Sequence, residues 1–149
     1  MTYTERLSQQ LAVVGVIDPA SKSANTYLTG VIDMKLHRRV LFVLMVGALT
    51  TNNTTDFSIV GDTASGGSYA TTITGKSITQ LTQAGTDDNK QVLVEVTAEE
   101  VAAQGLRYIK GKLVTATAAA LASVIALGSD GRYGPNSGNN IAAVDEIVA

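Results

Sequence analysis

Short runs of alternating or continuous apolar positions predict β-strands over most of the chain between residues 27 and 127. In residues 91–97 three valines alternate with other positions, which is typical of a strand with one buried face. Residues 39–49 are apolar almost without interruption, which indicates a strand that is central in its sheet or buried on both faces. Further runs predict strands at residues 27–34, 55–60, 69–77, 106–117 and 123–127.

The spacing of these runs predicts the fold class. About seven or eight strands follow one another, separated by turns and without regular strand–helix alternation. That order favours an antiparallel arrangement over a doubly wound parallel sheet. The sequence therefore predicts a mainly β protein, an antiparallel β-sandwich of jelly-roll-like type with short helices and extended termini.

A capping-box pattern predicts a short helix near the N-terminus. Glu5 follows Thr2 by three residues, and Leu7, Leu11 and Val14 then recur at helical spacing. Together these features predict an N-terminal helix or arm with an apolar side.

Further along the chain, residues 11–17 also fit a strand because they are rich in β-branched side chains. Asp18-Pro19 predicts a turn after them. A second capping box, Thr97 with Glu100, predicts a short helix that Gly105 ends.

The composition changes after Leu127, where Gly, Ser and Asn dominate residues 128–140. This stretch predicts a flexible connection. The chain then ends in an apolar segment, which favours a docking arm over a disordered tail. Its apolar side chains share one face if the segment is helical: Ile141, Val144, Ile147 and Val148.

These features divide the chain into two regions. Residues 1–128 are predicted to form the β-sandwich body, including the N-terminal arm, and residues 129–149 a flexible C-terminal arm. The arm is expected to dock on its own body or on a neighbouring subunit.

The charge content narrows the function. Charged residues make up 16% of the chain, where about 25% is typical, and the net charge is −2. The surface of the folded chain must therefore be covered by neutral polar side chains or by partner proteins. The mild negative charge argues against nucleic acid as a partner. The apolar run at residues 40–49 is far shorter than the ~20 residues of a membrane span, so no membrane partner is expected, and no secretory signal is recognised at the N-terminus.

Candidate catalytic and ligand-binding motifs are incomplete. The chain has no Cys and one His, which excludes thiol chemistry and sites that need two imidazoles. The loop at residues 61–68 resembles a phosphate loop, but Gly67 stands where that loop needs Lys. Asp87-Asp88-Asn89 lacks the spacing of a calcium loop, and His37 lacks a nucleophile motif beside it. We therefore expect no enzyme activity, no cofactor and no metal.

Three stretches resemble small virion proteins of tailed bacteriophages. They are residues 30–34 with 39–47 (GVIDM and RVLFVLMVG), residues 73–92 (ITGKSITQLTQAGTDDNKQV), and residues 106–109 with 126–135 (LRYI and ALGSDGRYGP). The resemblance covers about residues 11–135 and leaves the chain from Asn136 onward unmatched. It implies a structural protein of the phage head, of the capsid decoration or cement type, with a β-sandwich or jelly-roll body.

The expected function is therefore that of a non-enzymatic virion protein, assembled in the host cytoplasm and located in the capsid. Its expected partners are the major capsid protein and further copies of itself, as a dimer or trimer. A head–tail connector or tail-tube protein is the alternative in the same class. A carbohydrate-binding module on the particle is the alternative in another class, although it lacks an aromatic platform. The residues expected to make protein contacts are Leu7, Leu11, Arg38, Arg39, Ile141, Val144, Ile147 and Val148.

Overall fold

The computed structural model describes residues 4–148, and ten strands account for most of that range. In chain order they are β1 (Leu11–Lys22), β2 (Asn25–Leu28), β3 (Ile32–Asp33), β4 (His37–Leu49), β5 (Thr54–Asp62), β6 (Thr71–Ser77), β7 (Leu81–Thr82), β8 (Gln91–Thr97), β9 (Tyr108–Ala116) and β10 (Ala120–Gly131). The helices are α1 (Leu7–Gln10), α2 (Ala98–Ala103) and a 3₁₀ turn at Asn136–Asn139. The predicted Thr2 capping box lies outside the described residues.

The strands form two antiparallel sheets. The first has the order β1-β10-β4-β8 and the second has the order β2-β9-β5-β6, with β3 beside β9 and β7 beside β5. The pairs β1·β10, β2·β9, β4·β8 and β5·β6 arise because the chain folds back on itself as one long antiparallel hairpin. Rolling that hairpin into a sandwich produces a jelly roll. The predicted fold class is therefore confirmed.

The core lies between the two sheets and is built from the inward positions of each strand. Phe42 of β4 and Phe57 of β5 meet across the sandwich with ring centroids 5.8 Å apart. Gly111 of β9 makes room for them, because a Cβ there would lie 2.9 Å from both rings. The spacing of the sheets at this point therefore depends on a residue without a side chain.

β1 differs from the sequence prediction. The strand continues through Asp18-Pro19 to Lys22, with a register shift between Ile17 and Ala20. Proline is tolerated here because β1 is the outermost strand of its sheet, where a backbone N–H is not needed on the open side. The predicted turn is therefore wrong.

The second capping box is confirmed. The Thr97 side chain accepts a hydrogen bond from the Glu100 backbone N–H at 3.2 Å, and Glu100 accepts one from the Thr97 backbone N–H at 2.8 Å. Gly105 follows the helix with a φ of +71°. That left-handed conformation suits glycine at the end of a helix.

The C-terminal part begins later than its composition indicates. β10 runs to Gly131, past the predicted division at residue 128, and the 3₁₀ turn follows. Residues 141–148 form no helix, so the helical spacing of their apolar side chains is not realised. The division into body and arm stays a prediction. No helix within residues 4–148 has the length and apolar character needed to cross a membrane.

Candidate protein-interaction surface

The outward side of the first sheet is apolar. Side chains alternate along β4 and β10, yet both alternate sets are apolar, so one set fills the core and the other faces outward. Met45 and Leu93 are 50% and 65% exposed. We call this surface the apolar face, and it comprises Leu11, Val13, Val16, Leu41, Val43, Met45, Leu93, Leu121, Ile125 and Leu127.

Strand register makes the apolar face continuous. Val43 pairs with Ile125 of β10 on one side and with Leu93 of β8 on the other. Leu41 pairs with Leu127 in the neighbouring row. Directly opposed residues of an antiparallel pair have their Cβ atoms about 5 Å apart, so these side chains form an unbroken strip across the sheet.

Two charged side chains lie at one end of this face. Arg39 of β4 and Glu95 of β8 line one cleft together with Ser129. The outward side of the second sheet is different, because it carries Asp56, Asp62, Lys110 and Lys112. The outward side of the first sheet therefore carries fewer charged side chains than the outward side of the second sheet.

The C-terminal segment covers the free edge of β1. The Ile141 backbone N–H donates to the Val13 carbonyl at 2.9 Å, and the Val13 N–H donates to Asn140 Oδ1 at 2.8 Å. Val144 and Ile147 then line an apolar cleft of about 300 Å³ together with Leu7, Leu11, Val13 and Leu127. An edge strand that is capped in this way is protected from pairing with other chains.

A buried asparagine attaches this segment to the body. Asn136 is buried, and its side-chain amide donates to the Gly128 carbonyl at 2.7 Å and to the Gln10 carbonyl at 3.0 Å. Both hydrogen bonds satisfy backbone groups that water does not reach easily. The start of the predicted arm is therefore fixed, whereas Ile147 and Val148 near its end are exposed.

The predicted contact residues fall into two groups. Leu7, Leu11, Ile141, Val144 and Ile147 come together along the β1 edge, with Val148 projecting beyond them. Their role in binding a partner stays a prediction.

Arg38 and Arg39 lie at the charged end of the first sheet. Arg38 pairs with Glu99 at 3.2 Å and Arg39 with Asp130 at 3.6 Å. All four side chains are more than half exposed, and such pairs contribute little to folding stability. Both arginines can exchange these partners for others.

His37 lies at the same end but points into the core. It is 3% exposed, and its Nδ1 has no hydrogen-bond partner. Burial lowers the pKa of the imidazole from its ordinary value, while the neighbouring Asn136 and Asp33 act in the opposite direction. The imidazole is therefore neutral at neutral pH.

The glycine-rich loop at residues 61–68 closes around its own carboxylate. Asp62 accepts hydrogen bonds from the Ala64 N–H at 3.1 Å and the Tyr69 N–H at 3.2 Å. These donors hold the pKa of the Asp62 carboxyl below its ordinary value. A Cβ on Gly67 would overlap that carboxylate. The space that a phosphate loop offers to an anion is therefore filled by Asp62.

The acidic pair at residues 87 and 88 has a similar local use. Asp87 accepts a hydrogen bond from the Thr82 N–H at 2.9 Å, and Asp88 accepts one from the Leu49 N–H at 2.7 Å. Residues 4–148 contain no cluster of three metal-ligating side chains. The carboxylates therefore order turns at the end of β4 and beside β7.

Sequence reasoning missed the apolar face. The signal lies in residues 39–49 and 120–127, where both alternate positions are apolar, but for residues 39–49 it predicts a strand that is central in its sheet or buried on both faces. The structure places β4 centrally, as predicted, and buries one of its faces. The outward-facing apolar side chains of β4 and β10 form the apolar face, whose function the sequence did not indicate.

Comparison with known proteins gives a likeness of fold alone. No protein-family model matches the chain, and no curated protein does. Among 24 matching chains of solved structures is that of infectious bursal disease virus, Gt strain, with a TM-score of 0.49, 15% identity and 85% of this chain covered. The T=1 particles derived from that virus and its VP2 subviral particle each give a TM-score of 0.48, with 16% and 14% identity and the same 85% of this chain covered. This chain spans about a third of those chains: 33% in the Gt strain and T=1 particles, 34% in the subviral particle.

Proposed function

We propose that this chain is a virion structural protein, a capsid decoration (cement) protein that binds the assembled shell of a tailed bacteriophage. The observation that carries the proposal is the apolar face, a continuous outward strip of apolar side chains on the first sheet. Exposed apolar patches beyond a few hundred Å² mark contact with other proteins. The resemblance of three sequence stretches to tailed-phage virion proteins supplies the class of assembly.

The physical role of such a protein follows from mass action. A protein that binds the assembled shell and not its dissociated subunits lowers the free energy of the shell. Breaking the shell then requires releasing the bound protein as well. A rigid jelly roll suits this role because little conformational entropy is lost when it binds.

The shell contact is assigned to the C-terminal segment and the charged end of the first sheet. Val148 offers an exposed apolar side chain beyond the docked part of the segment, and Ile147 beside it is half exposed although it lines the cleft. Arg38 offers an exposed guanidinium group whose present pairing with Glu99 is weakly held. An acidic, partly apolar site on the major capsid protein would match this chemistry. The proposal includes no catalytic activity and no cofactor.

The test is direct imaging. Purified protein is mixed with expanded phage heads that lack decoration, and the particles are reconstructed by electron cryomicroscopy. Uniform density over the lattice supports a decoration protein. Density at one vertex would instead support a head–tail connector. Absence of density on any particle would contradict both, and binding to a glycan array would then favour the carbohydrate-binding alternative.

Two shortened chains refine the test. Ending the chain after Glu146 removes Ile147 and Val148 but keeps the hydrogen bonds between Ile141 and β1. Ending it after Asn140 also removes the covering of the β1 edge. We expect the first truncation to reduce binding to heads without changing the thermal unfolding temperature. If both truncated chains bind heads as the full chain does, the C-terminal segment makes no shell contact.

A further inference from the structure

We infer that the apolar face binds a second copy of this chain, forming a two-fold dimer in which β4 of one copy lies over β10 of the other. This deepens the proposed function and rests on it for its biological setting. The dimer forms before the shell is met, because the face is exposed in the isolated chain.

The size of the face suits a dimer. Four strands about 4.8 Å apart and nine residues of each central strand define a surface of roughly 19 by 27 Å. Two such surfaces bury about 1,000 Å² together, which is the lower limit for a specific interface. Val144 and Ile147 lie beside Leu11, Val13 and Leu127, so they form the β1 corner of this surface.

The register of β4 and β10 selects the symmetry axis. A two-fold axis parallel to these strands and midway between them places Val43 over Ile125 of the other copy. The same axis places Leu41 over Leu127, because each of these pairs is already in register within the sheet. The Val43 row, which is apolar from β1 to β8, then meets its own counterpart, as in aligned sheet packing. Glu95 ends the Leu41 row on the outer strand β8 and comes over Val13 at the rim of the interface.

The charged end restricts the choice of axis. The axis parallel to the strands brings Arg39 of both copies to the same end of the interface, where each keeps an Asp130 carboxylate beside it. An axis perpendicular to the strands would instead bury Arg39 against the apolar end near Met45 and Leu121. Burying an unpaired charge there is strongly unfavourable.

The two outer strands complete the interface. β1 of one copy lies over β8 of the other, so the C-terminal segment beside β1 approaches the partner's β8. Leu93 of β8 is 65% exposed in the isolated chain and is covered in this arrangement. The face carries little charge and hence little means of selecting a different partner, which also favours self-pairing.

The first experiment is sedimentation velocity of the purified protein at micromolar concentration, without heads. We expect a species of twice the 15.5 kDa chain mass. Met45→Lys should raise the dissociation constant about 100-fold, because an ammonium group would be buried without a partner. Leu28→Lys is the matched control, since Leu28 is 44% exposed on the second sheet, and it should leave the dimer unchanged.

A second measurement does not depend on a disruptive variant. The chain has no Cys, so single cysteines can be placed freely. Oxidising a mixture of Met45→Cys and Ser123→Cys chains should form a disulfide-linked dimer, because the axis places residue 45 over residue 123. A mixture of Met45→Cys and Leu28→Cys chains should not.

Three results would overturn the inference: a monomeric or trimeric wild-type protein, an unaffected Met45→Lys dimer, or equal cross-linking in both mixtures. Binding of the wild type to undecorated heads is measured separately and tests the proposed function. A monomer whose binding to heads is abolished by Met45→Lys would assign the face to the shell. That outcome would reject the dimer and keep the decoration role.

Discussion

The imidazole of His37 on β4 lies directly against the backbone of Gly128 on β10. A Cβ at residue 128 would lie 2.7 Å from His37 Nδ1, closer than side-chain contacts allow. The carbonyl of the same glycine accepts the Asn136 amide. The start of β4 is therefore packed against β10 and the 3₁₀ turn that follows it, at one end of the first sheet.

Gly128→Ala should lower stability by about 1–3 kcal/mol, because the new methyl group must displace a buried ring. For a chain of this size the unfolding temperature should fall by roughly 3–10 °C. Gly66→Ala is the control, since a Cβ there meets nothing within 4 Å. Differential scanning calorimetry of both variants measures the effect.

Combining His37→Ala with Gly128→Ala isolates the contact between the imidazole and residue 128. In a His37→Ala background the ring is absent, so Gly128→Ala should cost much less than in the wild type. An equal loss in both backgrounds would show that the alanine disturbs something other than the imidazole.

Stability should depend on pH through His37. Burial lowers the pKa of its imidazole below 6.5 in the folded protein, so below pH 6.5 the unfolded chain binds the proton more strongly. Stability is then fully present above pH 6.5 and falls as the pH drops from 6.5 towards the lower pKa of the folded state. Urea unfolding at pH 7.5 and 5.5 should give a lower midpoint at pH 5.5.

Between pH 5.5 and 7.5 the change in stability caused by His37 can be separated from that caused by the carboxylates with lowered pKa values. Asp33, Asp62 and Glu100 have pKa values below their ordinary ones and stay ionised throughout this interval. The chain has one His, so His37→Asn should remove most of the difference between the two midpoints. A variant that keeps the full difference would assign it to another group.

Local sequence patterns predicted most strands because a two-residue period determines which side chains meet the core. They failed where a distant contact decides the outcome. Pro19 remains in a strand because β1 is an edge, and edge position depends on β10, which is far away in sequence. Residues 141–148 carry helical spacing, yet the Val13 N–H donates to Asn140 Oδ1 and the Ile141 N–H donates to the Val13 carbonyl, and these hydrogen bonds hold the segment against β1 instead.

The interaction surface was harder to predict than the core. When both faces of a strand are apolar, as in β4 and β10, the sequence pattern is the same whether the second face is buried or exposed. Which face is covered depends on the other sheet. The predicted contact residues at the β1 edge lie together, but nothing in their spacing indicated the larger surface beside them.

Asn136→Ala should loosen the C-terminal segment. The variant leaves the Gly128 and Gln10 carbonyls without their donor, at a cost of about 1–3 kcal/mol. The Ile141 and Val13 amides should then exchange hydrogen faster, as measured by mass spectrometry. Asn139→Ala is the control, because its hydrogen bonds at 3.3 and 3.4 Å remain within the same 3₁₀ turn. Unchanged exchange at Ile141 in the Asn136 variant would mean that the segment is held by its apolar contacts alone.

The loop after β5 should tolerate no side chain at residue 67. Gly67→Ala must push the Asp62 carboxylate away from the Ala64 and Tyr69 amides, since the new Cβ would occupy its position. We expect a lower unfolding temperature than in the wild type, because of overpacking and broken hydrogen bonds, measured by thermal unfolding. In an Asp62→Ala background the carboxylate is gone, so Gly67→Ala should then have little further effect. If the two losses simply add, the loop is not organised around Asp62.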